Sequence, residues 1–197
     1  ANIDESIFEK QFEDEIILCL NYDGLYGINN INRFLQSDNK NTPFNWGIWT
    51  YKVNDPILFN ETKFFAPIFY NNLKGKINDI KIYEDFIEFE VTVDRVLTAF
   101  DFEENGNVEF IDYPEKGKTK VRFKVNKSDD GEEDDDMESN KIVPFQIAYA
   151  ISIHKAQGLE YDSVKVVIND EVEDLISHNI FYTAITRAKK SLKIYWS

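Results

Sequence analysis

The sequence predicts an α/β domain with a parallel sheet, interrupted by a small all-β insertion. Residues 16–20 are wholly apolar, and residues 164–168 are apolar apart from Lys165, a pattern typical of strands buried on both faces of a parallel sheet. Between them, residues 87–93 and 120–125 alternate apolar and polar side chains, as antiparallel strands with one exposed face do. Because the first type lies at both ends of the chain, one split domain is the simplest arrangement.

The elements follow in order along the chain. After the strand at 16–20, residues 21–24 predict a turn, and apolar side chains recur at helical spacing up to residue 36. Residues 37–45 are a polar loop, and residues 47–127 predict about five short strands. We therefore expect residues 1–46 and 141–197 to form the split domain, with 47–127 as its insertion and 128–140 as an acidic loop.

The last part of the chain returns to an α/β pattern. Residues 147–151, 164–168 and 192–196 predict strands, and residues 179–190 predict a helix with one apolar face. Such an alternation places each strand beside the others in a parallel sheet, with the helix packed on one face.

The charge of the chain is unevenly distributed. The net charge of the whole chain, −14, argues against nucleic-acid binding, but residues 128–140 hold eight acids and no base. Residues 141–197 carry a net charge of +1, so the overall charge does not exclude a local phosphate site in that segment. The acidic run favours a solvated loop, with an autoinhibitory mimic of nucleic acid as the alternative.

Composition also limits where the protein works. No apolar run approaches the roughly 20 residues that a membrane helix needs. The single cysteine, Cys19, lies in an apolar run, where we expect a buried, inert thiol. We therefore expect a cytoplasmic protein with no membrane partner.

The first candidate site lies at residues 150–162. Ser152, His154 and Lys155 follow a predicted strand, where a hydroxyl, an imidazole and an ammonium group can contact phosphate oxygens. Gly158 would let the backbone approach a ligand closely, and Glu160 could accept hydrogen bonds from a ribose hydroxyl. The alternative is a capped turn with a satisfied histidine.

The second candidate site lies at residues 179–190. On one continuous helix, Thr183 and Arg187 would share a face, with Arg187 near the carboxyl end. An arginine there could reach a transferring phosphate supplied by another domain. The alternative is a surface arginine that the helix dipole favours.

Together the two segments resemble motifs V and VI of superfamily 1 helicases, especially the RecD-like and UvrD-like groups. They match the patterns "T-x-H-K-x-Q-G-x-E", with Ser152 in place of threonine, and "Y-T-A-x-T-R-A" at residues 182–188. Residues 21–36 resemble the motif IV region less closely, since Asp23 stands where the family often has a basic residue. The resemblance implies a RecA-like second motor domain with an SH3-like insertion.

The resemblance also implies roles for individual residues. Ser152, His154 and Lys155 would lie toward a single strand of DNA. Gly158 and Glu160 would meet the nucleotide, with Glu160 at the ribose. Arg187 would be the arginine finger, which binds the nucleotide and acts in catalysis. The chain is thus expected to be a C-terminal fragment of an ATP-dependent DNA helicase or translocase.

A phosphate-binding loop is missing from the sequence. Gly117 and Lys118 resemble the end of one, but Asp112 stands where a glycine is needed, so we expect a β-turn there. ATP and Mg²⁺ are therefore expected in the full-length protein, with none bound tightly by this fragment and no metal site of its own. The expected partners are single-stranded DNA and an N-terminal motor domain of the same chain. The alternatives are a nucleic-acid-binding or regulatory module with a degenerate motor, and an RNA helicase of the same superfamily.

Overall fold

The computed structural model describes residues 5–60, 63–127, 141–169 and 176–196. The chain divides into two compact units, the first formed by Ala1–Asp38 with Ala148–Ser197 and the second by Asn39–Ile147. The predicted acidic loop lies outside the described residues. The elements, in chain order, are β1 (Glu15–Cys19), α1 (Ile28–Asp38), β2 (Pro43–Trp46), β3 (Trp49–Lys52), β4 (Pro56–Phe59), β5 (Lys74–Ile82), β6 (Phe86–Val93), α2 (Ala99–Glu104), β7 (Val108–Asp112), β8 (Thr119–Asn126), β9 (Phe145–Ile147), β10 (Ala150–Ser152), β11 (Tyr161–Ile168), α3 (His178–Ile185) and β12 (Ala188–Trp196).

The first unit is built on a four-stranded parallel sheet with strand order β10-β1-β11-β12. Its two central strands are the apolar runs that the sequence identifies, and their side chains are buried on both faces. The α/β prediction is therefore confirmed. Helix α1 buries Ile28 and Ile31 against one face of the sheet, in a core that includes Ile17, Ala150 and Val167.

Strand β10 lies at one end of that sheet, and α1 covers its outer edge. The amide of Ile17 donates to Tyr149, and the amide of Ile153 donates to Cys19, so these residues of the β10 segment face β1. The backbone groups of Ala150 therefore point outward. The Asn32 side chain donates to the Ala150 carbonyl at 2.9 Å and accepts from its amide at 2.8 Å, replacing a neighbouring strand.

A buried lysine of the same sheet bonds the backbone of the segment before β1. Lys165 on β11 is 1% exposed, and its Nζ lies 2.9 Å from Glu15 Oε1. The same ammonium donates to the carbonyls of Ile7 and Glu9, at 3.0 and 2.5 Å. Burial of this charge is tolerated because its donors find three acceptors.

The predicted strand at 147–151 is two strands, which corrects the interpretation of that run. Strand β9 pairs antiparallel with β4 in the second unit, whereas β10 pairs parallel with β1 in the first. Ala148 and Tyr149 separate them, at the point where the chain leaves one unit and enters the other. The apolar run is continuous because both strands are covered, but by different cores.

The second unit contains a six-stranded antiparallel sheet with strand order β7-β8-β6-β5-β4-β9, and a separate hairpin of β2 and β3. The period-two segments form strands β6 and β8, as predicted, and the structure shows that the two pair over their whole length. The polar loop predicted over residues 37–45 is too long, because β2 begins at Pro43. There Phe44 pairs with Tyr51 and packs against the aromatic core. The SH3-like classification of this unit stays a prediction.

The segment that resembles a phosphate loop is a turn between two paired strands. Strands β7 and β8 are antiparallel, and Gly117 between them has a φ of +85°. Thr119 is buried, and its hydroxyl accepts from the Leu97 amide and donates to the Arg95 carbonyl. The predicted β-turn is therefore confirmed, and this hydroxyl has a structural role.

None of the described helices is both long enough and apolar enough to cross a membrane.

Candidate nucleotide and nucleic-acid sites

The segment between β10 and β11 runs from the carboxyl ends of the strands to their amino ends. These two ends of the sheet are called its carboxyl edge and its amino edge. Ser152, at its start, is level with Cys19, whereas Ser163, just beyond its end, is level with Glu15. Four residues of a strand separate these levels, which is about 13 Å. The two ends of this one motif therefore lie at two distinct places on the domain.

Ser152, His154 and Lys155 lie at the carboxyl edge of the sheet. Ser152 is buried, and its hydroxyl accepts from the Lys155 amide at 3.2 Å while its carbonyl accepts from the Ala156 amide at 3.1 Å. Its local role is thus to cap the turn. His154 is exposed and Lys155 is partly exposed, so these two side chains are the accessible ones.

Gly158 and Glu160 lie near the other edge, where β11 begins. Gly158 has a φ of +82°, a left-handed conformation that favours glycine, and a Cβ built there would meet nothing within 4 Å. The backbone conformation, and not a close approach within this chain, is therefore what requires glycine. Glu160 is exposed and pairs with Lys189 at 3.6 Å.

Arg187 lies beyond α3 and not on it, which corrects the predicted helix over residues 179–190. Helix α3 ends at Ile185 with Thr186 as its C-cap, and β12 begins at Ala188, four residues before the predicted strand. The cause is strand pairing: the Tyr161 amide donates to the Arg187 carbonyl at 2.9 Å, so the backbone has already joined the sheet.

The Arg187 guanidinium bonds to three acceptors around it. Its Nε donates to the Thr183 carbonyl at 2.9 Å and its Nη1 to the Leu159 carbonyl at 3.1 Å. Its Nη2 donates to the Thr186 hydroxyl at 2.9 Å. The bond to Leu159 joins the two sequence motifs directly, because Leu159 lies between Gly158 and Glu160 in the first of them.

The structure thus separates the six candidate residues into two groups. Gly158, Glu160 and Arg187 come together at the amino edge of β11 and β12, while the other three lie at the carboxyl edge of β10. Two neighbours were missed by the sequence analysis, namely Lys189 beside Glu160 and Thr186 beside Arg187. Thr186 could have been noticed, because it precedes the arginine inside the second motif. Lys189 depends on strand pairing and leaves no comparable signal.

In the described ranges, no group of three or more His, Cys, Asp or Glu side chains is arranged to hold a metal ion. The amino edge instead offers a guanidinium, the ammonium group of Lys189 and the carboxylate of Glu160. The two cationic groups can donate to phosphate oxygens, and the carboxylate can accept from sugar hydroxyls.

Comparisons with known proteins agree with this reading of the motifs. Residues 147–195 match the UvrD-like helicase C-terminal domain family. The RecBCD enzyme subunit RecD of Buchnera aphidicola subsp. Schizaphis graminum is 29% identical over 198 residues, covering 98% of the chain and 26% of that protein. RecD of Haemophilus influenzae is 35% identical over 57 residues, covering 29% of the chain and 9% of that protein. The ATP-dependent RecD2 DNA helicase of Deinococcus radiodurans is 37% identical over 49 residues, covering 25% of the chain and 7% of that protein.

Among solved structures, Bacteroides Pif1 bound to single-stranded DNA aligns with 93% of this chain and 41% of its own, at 13% identity and a TM-score of 0.49. The chain spans about a quarter or less of the curated relatives named above. The family match over residues 147–195 and the similarity to RecD subunits confirm the resemblance that the two motifs predict, which is to the C-terminal region of superfamily 1 helicases.

Proposed function

We propose that this chain is the C-terminal part of an ATP-dependent DNA helicase or translocase, which supplies an arginine finger and part of the track for single-stranded DNA. One observation carries the proposal: Arg187 is bonded to the backbone between Gly158 and Glu160, so the two helicase motifs meet at one edge of the sheet. The relatives that are named as DNA helicases or RecD subunits favour DNA over RNA.

Arg187 has the hydrogen-bonding capacity that a finger needs. A guanidinium has five N–H donors. Three of them are used by Thr183, Leu159 and Thr186, and one N–H on each Nη has no acceptor among the described residues. These two remaining donors can bond oxygens of a phosphate group.

Glu160 fits a role at the sugar of the nucleotide. Its carboxylate is exposed and its partner Lys189 is about half exposed, so the pair can open to admit a ligand. ATP with Mg²⁺ would supply the phosphoryl group and the ion that neutralises its charge. This chain would contribute Glu160 to hold a ribose hydroxyl and Arg187 to stabilise negative charge on the phosphoryl oxygens.

The first test concerns the finger, in the full-length protein. Arg187→Ala should lower ATP turnover by about 10³–10⁵, the range known for arginine fingers. Lys10→Ala is the control, since Lys10 is an exposed cation of the same unit that lies outside the segments resembling helicase motifs. Turnover that survives Arg187→Ala at the level of the control would refute the role of Arg187.

The second test concerns the track, and this chain alone suffices for it. Fluorescence anisotropy with a labelled oligothymidine should detect weak binding that weakens further with salt. Lys155→Ala should reduce the affinity and lower the salt slope by about one. Lys190→Ala, at the opposite edge, is the control. Higher affinity for an RNA oligomer than for the DNA oligomer would favour an RNA helicase. Loss of binding with Lys190→Ala but not with Lys155→Ala would contradict the assigned track.

A further inference from the structure

Thr186, the residue before the proposed finger, binds the guanidinium directly. Its Oγ1 lies 2.9 Å from Arg187 Nη2, 2.8 Å from the Tyr182 carbonyl and 3.2 Å from the Thr183 carbonyl. A guanidinium can only donate and a backbone carbonyl can only accept. The single hydroxyl proton must therefore point to a carbonyl of α3, which leaves an oxygen lone pair aimed at Arg187.

We propose that Thr186 is a positioning residue that fixes the plane in which the Arg187 guanidinium meets a phosphate. The inference rests on the proposed function of Arg187. The guanidinium is flat and rigid, so acceptors on Nε, Nη1 and Nη2 together define its orientation. Two of these acceptors are backbone carbonyls. Among the described residues, the Thr186 hydroxyl is the one side-chain acceptor, and the orientation depends on it.

Removing this hydroxyl leaves the guanidinium held only at Nε and Nη1. The N–H on Nη2 that bonded Thr186 then lacks its acceptor, and the plane can turn away from the direction in which the two free N–H groups suit a phosphate. Thr186→Val keeps the β-branched shape but loses both hydrogen bonds of the hydroxyl. Thr186→Ser keeps the hydroxyl and loses only a methyl group. The two variants therefore separate positioning from packing.

The test measures ATP turnover by the full-length protein. Thr186→Val should lower kcat about fivefold with KM for ATP within about twofold, since a misaligned guanidinium loses about 1 kcal/mol of hydrogen bonding to the phosphoryl group in the transition state. Thr186→Ser should restore kcat to near the wild-type value. Thr92→Val is the matched control, because the Thr92 hydroxyl bonds Asn78 in the other compact unit, at 2.7 Å.

A second measurement uses the 197-residue chain alone. Nitrogen-15 NMR should resolve restricted Nη signals of Arg187 in the wild type and in Thr186→Ser, and averaged signals in Thr186→Val. Unchanged backbone amide spectra would show that each variant is folded.

The outcomes distinguish this inference from the proposal on which it rests. If Arg187→Ala abolishes turnover while Thr186→Val matches wild type, the positioning role is wrong and the finger stands. If Arg187→Ala has no effect, both fall. A kcat that Thr186→Ser fails to restore would assign Thr186 a packing role and overturn the inference.

Discussion

Asn32 offers the sharpest test of how the outer edge of the parallel sheet, at β10, is hydrogen-bonded. The change Asn32→Ala removes the side chain that bonds both outward-facing backbone groups of Ala150, at 2.9 and 2.8 Å. Ala150 is 0% exposed, so its amide and carbonyl would lose their partners inside the protein. Each buried polar group left unpaired costs about 1–3 kcal/mol. Since Asn32 itself is partly exposed and water can follow its removal, we expect a total loss of about 2–4 kcal/mol.

Urea unfolding followed by far-ultraviolet circular dichroism measures this loss. With a slope of about 2 kcal/mol per molar urea, the transition of the first unit should move down by about 1–2 M. Hydrogen exchange reports the site itself, because the Ala150 amide should lose protection before its neighbours on β1. Asn32→Asp should cost less than Asn32→Ala, since a carboxylate can still accept from the Ala150 amide but cannot donate to its carbonyl.

Asn30→Ala is the matched control for this experiment. Asn30 lies on the same helix and is exposed, and within the described part of the chain its side chain bonds only the Leu25 carbonyl, at 3.0 Å. Its replacement should change stability by about 0.5 kcal/mol or less, as is usual for surface positions. Equal stabilities for Asn32→Ala and Asn30→Ala would show that the edge of β10 does not need its side-chain partner.

Three further predictions concern groups whose surroundings alter their chemistry. Arg122 holds the pKa of Glu90 below its usual value. The stability that Glu90 contributes is therefore present above the unfolded pKa of about 4.3 and is lost as the pH falls through the lower folded pKa. The free energy of unfolding of Glu90→Gln should therefore fall less steeply with acidification than that of wild type. Equal slopes would contradict this. Lys165→Met should cost about 3–5 kcal/mol in urea unfolding by leaving Glu15 charged and buried, and Glu15→Leu added to it should recover most of that loss; a double variant no more stable than the single would be inconsistent. Burial raises the pKa of Cys19 to about 12, so Ellman's reagent at pH 8 should label it only after unfolding, and rapid labelling of the native protein would rule this out.

The parts of the fold that the sequence predicts well are those that local pattern determines. Strands β1 and β11 follow from side chains that are apolar on both faces, and β6 and β8 follow from strict alternation. In each case the pattern of consecutive residues alone predicts which faces of the strand are buried. The Gly117 turn follows equally, since it lies between two alternating segments.

The errors lie where contacts between distant residues decide the structure. The run at 147–151 is apolar throughout, yet its two halves pair with β4 and β1, which are far away in sequence. Periodicity detects that both halves are covered, but it carries no information about which sheet covers them. The break at Ala148 and Tyr149 follows from those pairings.

The same cause explains why Arg187 was predicted to lie on a helix, although the residue itself was identified from the sequence. The apolar spacing of residues 180–188 suits a helix throughout, but pairing of Tyr161 with the backbone at Arg187 and Ala188 ends the helix at Ile185. A fully helical Arg187 would project from one face of α3. In the turn, its guanidinium instead bonds the Leu159 carbonyl, which brings parts of both motifs to the amino ends of β11 and β12. The resemblance identifies the residue, but the strand pairing is what places its guanidinium against the Leu159 carbonyl, one residue before Glu160.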